Sequence, residues 1–179
     1  MDNNLWSACA WNKVIKKNTI KNIQFIANIT SEDVDWCFRL FINTKHFDYI
    51  NLPVIFYRQR ATSITGTSSV KKTECLYNNI LVCEKILNTT SNLTQEEIAY
   101  LKKYISYQYA IFIFSLSGFR LNRNIPIYES AKQKWYWLSY SDSIKTKLIY
   151  HSVKNIGFDK TLWLLELYRK IYINRNKRN

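Results

Sequence analysis

Only three glycines and two prolines punctuate a chain of 179 residues. Sandwiches and barrels turn sharply many times and place these residues at their turns, so their scarcity points to long helices. Hydrophobic residues make up 47% of the chain and aromatic residues 16%. That is enough apolar matter for a real core, and it excludes wholesale disorder. The length suits one ordinary domain, or a small domain with a helical extension.

From residue 70 onward the apolar spacing is helical almost to the end. It predicts helices over about 70–88, 94–117, 127–139, 142–155 and 158–173. Thr94-x-x-Glu97 opens the second as a capping box. Leu162, Leu165, Tyr168 and Tyr172 line one face of the last, with Arg169 and Lys170 beside them. The tail after it is basic and polar. Upstream, a helix begins near Ser31 and ends near Thr44. Thr30 or Ser31 can cap it, Glu32 and Asp33 occupy its electropositive first turn, and Val34, Cys37, Phe38 and Phe41 recur at helical spacing. Residues 47–50 and 54–60 are rich in β-formers, with Pro53 marking a turn between them. Residues 61–69 are small and hydroxylated, a loop that divides the chain into 1–69 and 70–179. The expected class is therefore α+β, mainly helical, with two or three short strands ahead of a C-terminal helical region.

Twenty-six Lys and Arg against thirteen Asp and Glu leave a formal charge of +13. Such a balance favours an anionic partner, whether phosphate, nucleic acid or lipid surface. A chain this rich in Asn, Ile, Lys and Tyr also follows from AT-rich codon usage, so the charge biases the search without deciding it. No nucleic-acid reading motif accompanies it. Cys9, Cys37, Cys75 and Cys83 form no CxxC pair and have no histidine pattern nearby. They read as small buried hydrophobes in a reducing compartment, not as a zinc site. His46 and His151 are isolated. The most apolar run, Tyr107 to Leu116, is shorter than a membrane span and reads as a core helix. Sequons at Asn28, Asn88 and Asn92 matter only in a secretory pathway, and no secretory signal precedes them.

One cluster carries chemistry. Ser31-Glu32-Asp33 by itself is an ordinary helix start, and Asp35 with Arg39 at i,i+4 reads as a solvated helix-face ion pair. Asp33-Val34-Asp35 mimics a metal-binding Asp-x-Asp. On a helix, however, residues two apart point about 200° apart, so the two carboxylates cannot share one ion. The ordered series says more than its parts. Trp11-Asn12-Lys13 is followed by Ser31-Glu32-Asp33-x-Asp35-Trp36-x-x-Arg39. Next come Asn51-x-Pro53-x-x-x-Tyr57-Arg58-Gln59-Arg60 and then Ser63-Ile64-Thr65.

Over residues 5–70 this series resembles the second half of the bacterial family 2 glycosyltransferases of the GT-A type, which build polysaccharides and surface glycans. The resemblance implies a truncated GT-A-type α/β domain, with residues 1–69 as its acceptor-side remnant. It implies inverting transfer of a sugar from a nucleotide-sugar donor to a glycan or lipid-linked acceptor. Asp33 would be the catalytic base and Glu32 would set its position or ionisation. Trp11, Lys13, Trp36, Arg58, Arg60 and Ser63 would contact substrate. Arginine forks suit a diphosphate, and alternate strand residues such as Arg58 and Arg60 share a face. Trp36 either packs beneath the helix or faces a sugar ring, and the arginines either meet phosphate or blunt an edge strand. No cofactor or metal is expected in this part. The complete enzyme would carry a divalent metal, Mg2+ or Mn2+, on an Asp-x-Asp in a preceding nucleotide-binding half, without which the isolated chain is expected to be inactive. The implied location is cytoplasmic, with peripheral contact at the inner face of the membrane. The competing reading is a non-catalytic basic helical module that binds anionic membrane or a partner protein.

Overall fold

The computed structural model describes residues 8–27, 31–53, 55–56, 58, 70–119 and 127–176, with side chains described as far as residue 171. Its helices are α1 (Lys17–Ile20), α2 (Glu32–Ile42), α3 (Val70–Thr89), α4 (Gln95–Leu116), α5 (Ile127–Gln133), α6 (Ile144–Ile156) and α7 (Phe158–Asn176). Short 3-10 turns occupy Ala10–Asn12, Ser117–Phe119 and Trp135–Tyr140.

The frame is the α3–α4 pair. Thr90 to Thr94 link the two helices, and the Thr94 hydroxyl accepts from the Glu97 N–H while the Glu97 carboxylate accepts from the Thr94 N–H. This reciprocal cap satisfies donors that a bare helix end leaves open. Cross-contacts run in opposite senses along the pair: Thr73 meets Ser115, Tyr77 packs on Phe112, and Asn79 meets Gln108. The helices are therefore antiparallel. Tyr77, Ile80 and Cys83 from α3 and Ile105, Tyr109, Phe112 and Ile113 from α4 are sealed between them. Full burial of each large side chain contributes about 1.5–3 kcal/mol.

The later helices pack along one side of this pair. Tyr109 donates to the carbonyl of Ala131 at 2.5 Å, and Tyr77 meets Ser130. Trp137 and Leu138, from the 3-10 turn, enter the same core. Gly157, at φ 89°, turns α6 into α7, a left-handed conformation that β-carbon-bearing residues adopt only with strain. Ser152 then meets Thr161 across the helical pair.

α2 is buried on two sides. Val34 and Phe38 join the α3–α4 core, while Trp36, Cys37 and Leu40 pack with Ile23 against the N-terminal segment. It thereby joins residues before the β-rich stretch to helices after it.

Two expectations need correction. The described residues contain no strand and no sheet, so the class is all-helical, not α+β or a truncated GT-A-type α/β domain. Residues 47–50 form no strand. Of 54–60, residues 55, 56 and 58 are non-helical without strand pairing and the rest lie outside the described residues. A helix makes its hydrogen bonds within its own segment, whereas a strand needs a neighbour; β-formers report a fit to a pleated, half-buried surface. Here Tyr49, Ile50, Leu52 and Phe56 stay exposed, so that surface is missing. The second correction is local: the helix expected over 127–139 breaks at Lys134 into α5 and a 3-10 turn. The apolar run in α4 is core, as expected, and no helix among the described residues is long and apolar enough to cross a membrane.

Candidate functional site

The first turn of α2 holds Glu32, Asp33 and Asp35. Three carboxylates there suit the positive end of the helix dipole, but the fold gives each a different fate. Glu32 is exposed. Asp35 is buried and accepts from Arg39 Nε at 2.8 Å, while the same guanidinium donates to the Gln24 carbonyl at 2.7 Å. It is the helix-face ion pair read from the spacing, moved inward to hold the N-terminal segment on α2. Asp33 is partly buried beside Lys13.

Burial raises the Asp33 carboxyl above the ordinary carboxylate range, and the repulsion of Glu32 adds to the effect. The N–H groups of Val34 and of Asp33 itself, together with the Lys13 charge, oppose it without cancelling it. The residue before this pair, Ser31, lies at φ 74° and ψ 31°, the one non-glycine residue with positive φ among the described residues. Its hydroxyl makes no capping bond and is directed to the Cys75 carbonyl of α3 at 3.4 Å. A left-handed serine costs about 1–3 kcal/mol, and such strain concentrates at functional sites.

Lys13 reaches this corner from the turn after Ala10–Asn12, donating to the Cys9 carbonyl and to Asn12 Oδ1, both at 2.8 Å. Cys37, one helical turn beyond Asp33, is fully buried, and burial pushes its thiol up to about 11. Tyr104 of α4 closes the corner, its ring edge-on to Phe38 at 5.0 Å. Burial holds its hydroxyl far above the usual phenol range, and Cys83 and Asp33 add to the rise. Sequence patterns do not single out Tyr104 or Cys37 for this corner, because each reads as core at helical spacing and only the folded chain brings them to Asp33.

The remaining candidates fall elsewhere. Trp36 is 6% exposed, donates its indole N–H to the Ile23 carbonyl at 2.7 Å and stacks on Phe25 at 4.9 Å. It packs beneath the helix. Trp11 is half exposed on the 3-10 turn. Arg58 is exposed in the non-helical stretch, and Arg60 and Ser63 lie outside the described residues. An open cleft of about 380 Å³ lined by Asn18, Thr19, Asn22, Ile23 and Asn43 sits at the other end of α2, away from Asp33. A divalent metal does not fit this corner: Asp33 and Asp35 diverge around the helix, and no group of three metal-ligating side chains forms among the described residues.

Comparison with family models, with curated proteins and with solved structures finds no match to this chain.

Proposed function

We propose that this chain supplies the acceptor side of an inverting sugar transferase, with Asp33 as the general base. The observation that carries the reading is a partly buried carboxyl with a raised proton affinity, held at a helix start beside a strained Ser31 and Lys13. The ordered series from Trp11 to Thr65 supports the same reading.

In this proposal the Asp33 carboxylate takes the proton of an acceptor hydroxyl as its oxygen bonds to the sugar's anomeric carbon. The bond from that carbon to the donor diphosphate breaks with its electron pair, which leaves with the diphosphate. Desolvation makes Asp33 a stronger base than a solvated carboxylate, and its charge lies near the developing oxocarbenium. Lys13 favours the ionised form. The carboxylates of α2 cannot converge on an ion, so in this proposal α2 has no part in holding a divalent metal.

The test combines the purified chain with a nucleotide-binding half of a family 2 transferase, or expresses it with its upstream reading frame, and measures sugar transfer. Asp33→Asn is expected to lower turnover about 10²–10⁴-fold. The base must be ionised, so the acid limb of the rate profile should lie above the usual carboxylate value of 3.8 and rate should rise with pH through it. Equal transfer by Asp33→Asn in an active assembly would remove the assignment.

A further inference from the structure

The rotation of α7 places apolar side chains on two opposite sides. Phe158 and Leu162 point into the core. Trp163, Leu164, Leu167 and Ile171 are 43%, 43%, 37% and 57% exposed. At about 100° per residue these four fall within an arc of about 100° centred near Leu167, opposite the buried side. A helix apolar on both sides is normally covered on both, and an exposed apolar stripe of this size marks a contact surface.

We infer that this outward face of α7 docks on an anionic lipid surface, lying in the plane of the interface. Charge chooses the occupant. Lys160 stands at the start of the stripe and Lys170 at its edge, both exposed. The acids of the helix are turned to other duties: Asp159 binds Tyr128 and Lys132, and the largely covered Glu166 pairs with Lys170. The whole chain carries +13, so a second copy would bring like charge against like, whereas anionic headgroups meet it favourably. Trp163 suits the headgroup boundary, where indole rings concentrate, and the three aliphatic side chains suit the acyl region below it. The neighbouring α6 also exposes Ile144 and Leu148 beside Lys145 and Lys147. A face of this kind holds a protein at the interface without a spanning helix. It also stands independently of Asp33, and it gives a sugar-transferring protein access to lipid-linked acceptors.

The experiment is co-sedimentation of the full chain with phosphatidylcholine vesicles and with mixed phosphatidylcholine–phosphatidylserine vesicles over a salt series. Binding is expected only to the mixed vesicles and should fall as salt rises. Leu167→Glu should weaken it at least tenfold, and Lys160→Gln about fivefold. Both positions face outward, so circular dichroism should match the parent and separate lost binding from lost fold. Asp33→Asn should bind vesicles like the parent, so failure of the sugar-transfer reading leaves this one standing. No binding to mixed vesicles, or undiminished binding by Leu167→Glu, would overturn the inference. A lipid-free dimer in light scattering that Leu167→Glu dissociates would do the same, by showing a second copy on this face.

Discussion

Replacing Glu84 with alanine should destabilise the protein more than any single charge removal on its surface. Glu84 lies on α3 and is 8% exposed. One carboxylate oxygen accepts from the indole N–H of Trp137, and the other accepts from Lys134 Nζ at 2.6 Å. Alanine leaves a buried indole donor without an acceptor, at about 1–3 kcal/mol. It also strands the Lys134 ammonium, whose loss is discounted because that side chain keeps about a quarter of its exposure. The expected sum is about 2–4 kcal/mol, below the full figure for a completely buried pair. Glutamine keeps one acceptor, for Trp137, but loses the charge and turns an NH2 donor toward the Lys134 ammonium, so Glu84→Gln should cost about 1–2 kcal/mol. Burial pulls the Lys134 ammonium down, but its hydrogen bond and attraction to Glu84 more than offset this and leave it above its usual 10.5. A raised ammonium stabilises the fold below the unfolded value and loses that contribution only as pH rises through the folded one. Urea unfolding should therefore show the same difference between parent and Glu84→Ala at pH 7 and pH 9. A Glu84→Ala midpoint within about 0.5 kcal/mol of the parent would refute the network.

Trp36→Ala should cost about 3–5 kcal/mol in urea unfolding, because it empties the core beneath α2. Trp36→Phe should cost only about 1 kcal/mol, since it keeps a ring on Phe25 and forfeits the bond to Ile23; near-equal losses would contradict this packing. Thr94→Ala removes one arm of the α4 cap and should lower stability by about 1 kcal/mol in thermal or urea melts. Cys37 and Cys83 are buried, and burial raises both thiols, that of Cys37 to about 11. Neither should react with a disulfide reagent at pH 8 until denaturant is added, and rapid labelling of either in the native protein would show that corner to be open.

Much of the helical content is legible from spacing alone. The expected 70–88 and 94–117 stand as Val70–Thr89 and Gln95–Leu116, and 142–155 and 158–173 as Ile144–Ile156 and Phe158–Asn176. Helical hydrogen bonds, caps and apolar stripes are all properties of neighbouring residues, so one chain segment carries the whole signal. The β-rich residues 47–50 misled for the converse reason, since their preference is for a neighbour the described residues do not provide. The ion pair of Asp35 with Arg39 was readable from its spacing; its burial, and its grip on Gln24, were not.

The candidate site divides along the same line. Residue order alone placed Asp33 in the first turn of a helix and set it apart from Asp35, because both follow from helical rotation. Only the fold brought Lys13 and Tyr104 to that carboxyl and withdrew water from it. It turned Trp36 inward to the Ile23 carbonyl, buried Glu84 against Trp137, and left Trp163, Leu167 and Ile171 facing outward. Desolvation and long-range contact depend on which surfaces meet in space, and a linear pattern holds no record of that meeting.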